Sequence, residues 1–153
     1  MNAKVKPSVD SLLRSEASLD RAFAFLAGLV VVELGWLVCR LSLELFDAGW
    51  ARTGTALLTA ATLAAYGWFA VETGRSASGL GKPGWLYAGW VIGAPLVAIG
   101  VGLADLDRVA RLLELAPLHL KFVGLLIGIS PLSLKFVLSS QLRSEIHDRT
   151  FAD

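Results

Sequence analysis

Glu33 interrupts an otherwise uncharged stretch that runs from residue 22 to residue 39. It is flanked by Val30, Val31, Val32 and Leu34. An acidic side chain at the centre of a spanning helix costs about 2.5–3.5 kcal/mol on insertion scales. Such a group needs neutralisation, a partner or water. Arg40 follows seven residues later, then Glu44 and Asp47, so the four positions form one polar face of a helix. The chemistry open to this face is a proton or cation site, an intersubunit pair, or a fixed ion pair that holds two helices in register.

A second constellation lies in the last apolar stretch. Pro117-Leu-His-Leu-Lys-Phe-Val returns as Pro131-Leu-Ser-Leu-Lys-Phe-Val. The repeat places Lys121 and Lys135 on nearly the same helix face, about 21 Å apart at 1.5 Å rise per residue. One reading is two lysines snorkelling to opposite headgroup layers. The other is a cationic stripe facing a bundle interior, a water-filled path or anionic lipid heads. In an antiparallel arrangement Glu33 and Lys121 come to similar depths, so Lys121 is the expected partner of Glu33. Lys135 lies near the other edge, out of reach.

Other chemistry is excluded by what is missing. One cysteine, Cys39, forms no intrachain disulfide and reads as a small packing residue. Two histidines, His119 and His147, do not suit haem ligation within one chain. The sequence has no Cys/His metal cluster, no glycine-rich phosphate loop, no carbonyl-filter string, no arginine ladder and no nucleophile paired with a base. The expectation is a protein that is not an enzyme, holds no cofactor and binds no nucleic acid. The net charge of +1 points to no charged macromolecule.

The elements that carry these residues are four stretches of about 20 residues, the length a hydrocarbon core of roughly 30 Å requires. Residues 53–71 and 83–104 have no charge at all; residues 115–134 have only Lys121 beside His119. Backbone groups in lipid must be satisfied internally, so each span is a helix. The expected fold is all-α, a four-transmembrane-helix antiparallel bundle with spans at about 22–43, 51–71, 84–104 and 115–138. Residues 1–21 read as a short amphipathic N-terminal helix on the membrane face, or alternatively as a polar extension of the first span. Residues 139–153 read as a helical tail. Glycine and serine between Gly74 and Gly84 read as a flexible loop.

Lys4, Lys6, Arg14, Arg21, Arg75, Lys82, Arg143 and Arg149 fall on one side of this topology; Arg40, Arg52, Arg108 and Arg111 fall on the other. The bias places both termini in the cytoplasm, across a bacterial-type inner membrane. Twenty-one largely polar residues precede the first span, which therefore does not read as a cleaved signal.

Thr55, Thr59, Thr62 and Tyr66 form a hydroxyl stripe on the second span. Small residues recur at four-residue spacing, with Ala61 and Ala65, Gly89 and Gly93, and Gly124 and Gly128 as the clearest pairs. Such pairs allow close helix approach. Their density exceeds what four helices need among themselves, so the expected partners are membrane lipids and either further copies of the chain or a larger complex. The functional expectation is a homo-oligomeric pore, lined by Glu33, Arg40 and Glu44 or by the lysine face. The alternative is an accessory or scaffold subunit, and the third choice is a small transporter coupled through Glu33.

Overall fold

In the computed structural model, backbone is described for residues 7–43, 49–103 and 117–151, and side chains for 7–43, 49–101 and 122–151. The described chain is all-helical: α1 (Val9–Ser42), α2 (Gly49–Gly79), α3 (Gly84–Leu103) and α4 (Pro117–Thr150). Each helix is long and apolar enough to cross a membrane. Their outward faces are apolar: Val31, Leu57, Leu63, Leu96 and Phe136 are all exposed. In water such a surface would associate, whereas in lipid it is the expected exterior of a multi-pass membrane protein.

No separate amphipathic helix precedes the first span among the described residues. α1 is continuous, which matches the second of the two readings of the N-terminal segment. Ser8 caps it, accepting a hydrogen bond from the Ser11 amide at 3.2 Å, and Asp10 suits the positive end of the helix dipole. The apolar positions Leu12 and Leu19 are buried. Leu12 lies against Gly79, and the Ser76 hydroxyl reaches the Ser15 carbonyl at 3.5 Å. The apolar stripe thus faces α2 rather than a lipid surface.

α2 is correspondingly longer than expected. The stretch read as a flexible loop is helical as far as Gly79, and Gly74, Ser76 and Ala77 are buried. The connection to α3 is only Leu80–Pro83. Gly81 takes φ +73, and the Lys82 amide bonds back to the Ala77 carbonyl at 2.9 Å. This left-handed residue ends a helix in the way glycine allows without strain. Across the turn, a Cβ on Gly84 would collide with the Gly74 carbonyl. Glycine at both positions lets the two backbones touch.

α3 meets α4 by the same means. A Cβ on Gly124 would come within 2.7 Å of Val101, and one on Gly128 within 2.8 Å of the Ala98 methyl. The buried core gathers Leu19, Ala22, Leu26, Ala65, Phe69, Ala70, Ala77, Val91 and Leu138. It lies toward the end of the bundle where α1 begins and α4 finishes, here termed the closed end.

Candidate functional site

Three sets of side chains could do work: a polar seam between α1 and α2, the carbonyls freed by two prolines, and a charged closure at the closed end. An apolar cleft lies among the helices beside them.

The seam begins with Glu33. Its carboxylate accepts a hydrogen bond from the Thr59 hydroxyl of α2 at 2.8 Å. One and two turns farther along α1, the Trp36 indole and the Arg40 guanidinium donate to Thr55 of α2 at 2.9 Å and 2.7 Å. The Thr55 hydroxyl itself donates to the Ala51 carbonyl at 2.8 Å. Gly54 makes room for the indole, since a Cβ there would lie 3.2 Å from the ring. Glu33, Trp36 and Arg40 recur at helical spacing on α1, while Thr55 and Thr59 stand one turn apart on α2. The helices run antiparallel, so the two rows meet. In apolar surroundings each polar group needs such a partner.

Lys121, the expected partner of Glu33, lies outside the residues whose side chains are described, and so does Glu44. The described partner of Glu33 is a hydroxyl rather than a cation.

Pro95 in α3 and Pro131 in α4 each lack an amide hydrogen, which frees the carbonyl four residues earlier. For Pro95 this is Val91, and the Tyr66 hydroxyl of α2 donates to it at 2.5 Å. For Pro131 it is Ile127, and the Ser130 hydroxyl donates to it at 2.6 Å. Ser130 accepts in turn from the Trp90 indole of α3 at 2.9 Å. Side chains re-satisfy what the prolines leave open, a requirement of backbone in lipid. Thr62 bonds to the Leu58 carbonyl of its own helix at 3.0 Å. The hydroxyl stripe of α2 is thus committed to α1, α3 and its own backbone.

At the closed end, Lys135 of α4 pairs with Asp20 of α1 at 2.8 Å. Its ammonium also lies 5.0 Å from the Phe23 ring centroid and 4.9 Å from that of Phe136, within the range of a cation–π contact. Arg143 pairs with Glu16, and Arg149 bonds to the Pro7 carbonyl. Lys82, in the α2–α3 turn, bonds to Gln141. The described hydrogen bonds, ion pairs and ring contacts that join α1 to α4 all lie between Pro7 and Phe23.

Beyond Phe23 a cleft of about 580 Å³ lies among the helices. Leu26, Val30, Val31, Tyr66, Pro95, Gly128, Pro131 and Leu132 are among its lining residues. Among the described residues, no charged side chain lines it.

The small-residue pairs divide. Gly124 and Gly128 pack within the chain, and Ala65 is buried. Ala61 is exposed, and a Cβ on Gly89 or Gly93 would meet nothing within 4 Å. Among the described residues no three His, Cys, Asp or Glu side chains come together as a metal site.

Sequence reasoning sought opposite charges for Glu33 and passed over Thr59, although the threonine stripe was visible. It also missed the link from Tyr66 to Pro95; the signal was a tyrosine on the helix before a proline-bearing span. No protein-family model, no curated protein and no solved structure matches this chain.

Proposed function

We propose that this chain is a non-catalytic accessory or scaffold subunit that works by binding other molecules within the membrane. The observation that carries this reading is where the mid-depth polar groups point. Glu33, Thr59, Thr62, Tyr66 and Ser130 all bond to partners within the chain. A pore between protomers needs polar groups free to replace an ion's hydration. The outward faces instead offer apolar side chains and the open glycines Gly89 and Gly93, which suit lipid or a neighbouring helix.

Purification in mild detergent tests this. Foreign membrane chains at fixed stoichiometry support the subunit reading. A closed homo-oligomeric ring that conducts ions in planar bilayers overturns it.

The homo-oligomeric pore is the second reading, and one observation favours it. Glu33 is half-buried and has a single described hydrogen-bond donor, although a carboxylate has room for several. Neutralising it with Glu33→Gln abolishes cation conductance if protomers surround a path there.

A further inference from the structure

The cleft between α1 and α4 has a polarity and a position that together select an occupant. Among the described residues its walls are hydrocarbon apart from two hydroxyls, and both of these already donate to backbone carbonyls: Thr62 to Leu58 and Tyr66 to Val91. A polar ligand would find no free donor on these walls, and an apolar cavity stays dry. Left empty, the lining would lose its dispersion contacts on one side.

Its depth follows from helix rise. The α1 wall, from Phe23 to Val31, starts one residue inside Ala22. At 1.5 Å per residue it lies about 2 to 14 Å into the hydrocarbon from the closed end. The cleft therefore belongs to one leaflet. It also opens sideways, because Val31, Ile129 and Leu132 on its two rims are exposed. Small residues keep it open where larger ones would fill it: Ala27 on α1, and Gly128 on α4, which is drawn against Ala98 of α3.

Charge sets the orientation of the occupant. Among the described residues, the cation in contact with a cleft wall is Lys135, whose ammonium lies over the Phe23 ring. It stands at the closed end of the cleft, the level at which a lipid of that leaflet holds its phosphate. Lys135 keeps 11% of its side chain exposed and its partner Asp20 41%, so the pair borders the headgroup layer and marks the end of the cleft that a headgroup occupies.

We propose that the cleft is a phospholipid site. One acyl chain lies between α1 and α4, passing Phe23 and Leu132 toward Gly128, with its headgroup at the level of the Lys135–Asp20 pair. This goes beyond the subunit reading and does not depend on it.

Photolabelling of the wild-type protein tests the site directly. The protein is reconstituted in vesicles containing phosphatidylglycerol with a diazirine in its tail, irradiated and mapped by peptide mass spectrometry. Labelling is expected to be several-fold enriched at Val30, Val31, Ile129 and Leu132 over Leu57, Trp85 and Val97. Even labelling of all exposed apolar faces overturns the proposal, and so does exclusion of label from the cleft by a co-purifying chain. In a second measurement, native mass spectrometry follows lipid retention through detergent exchange. Ala27→Trp, which fills the cleft, is expected to lose the retained phosphatidylglycerol, while Leu57→Trp on an outer face keeps it. Retention by a folded Ala27→Trp protein overturns the site.

Discussion

The Tyr66 hydroxyl donates to the Val91 carbonyl, the one acceptor in α3 that Pro95 leaves without its helical partner. A side chain on one helix thus completes the backbone of the next. Tyr66→Phe removes only the donor, and the carbonyl is then unpaired in hydrocarbon. The expected loss is about 1 kcal/mol, the scale of interhelical hydrogen bonds in membranes. Pro95→Ala restores an amide to the same carbonyl, so Tyr66→Phe is expected to cost much less in that background. Reversible unfolding in mixed detergent micelles measures both. An equal loss in the two backgrounds removes the coupling.

The bond from Thr59 to Glu33 gives a second cycle. Thr59→Val keeps the shape and removes the donor. With Glu33 present the expected loss is about 1–2 kcal/mol, because the acceptor stays in an apolar setting. With Glu33→Leu in place Thr59→Val is expected to be near neutral. Strict additivity of the two changes contradicts a direct interaction.

Glycines separate sharply by position. Gly84→Ala forces a methyl against the Gly74 carbonyl, and neither backbone can give way within the short turn. A loss of about 1–3 kcal/mol is expected, as for overpacked cores. Gly93→Ala meets open space and is expected to leave monomer stability unchanged. If Gly93→Leu, by contrast, breaks a detergent-stable assembly, its face is an interface. Thermal stability and size-exclusion chromatography read the two effects separately.

The closed-end pairs have a different signature. Lys135→Met leaves Asp20 without its cation, whereas Lys135→Met with Asp20→Asn removes both charges. The single change is expected to destabilise more than the double one. The reverse order shows that the pair contributes nothing. The exposed Arg143–Glu16 pair is expected to add little and to weaken in salt.

The four helices were legible because uncharged runs of spanning length have few other uses. The α2 end was not. Gly74, Ser76 and Gly79 look like a loop under the habits of soluble proteins, where glycine and serine punctuate chains. Packed in this bundle the same residues are contact residues, and they let α2 pass close to Leu12 and Gly84. The N-terminal segment leaves two readings open for a similar reason: Leu12 and Leu19 make an amphipathic pattern whether they face a membrane or another helix. The need of Glu33 for a partner was legible from its position. Thr59 as one of its partners was not, because in an apolar setting a neutral hydroxyl also serves where reasoning from water looks for opposite charge.

The closed end joins residues made far apart in time. Arg143 meets Glu16 across a separation of 127 residues. During synthesis α1 emerges first, carrying Glu16 and Asp20, and it waits through α2 and α3 for the cations of α4. Until then the nascent bundle displays two unanswered carboxylates at the headgroup layer and an unclosed apolar flank.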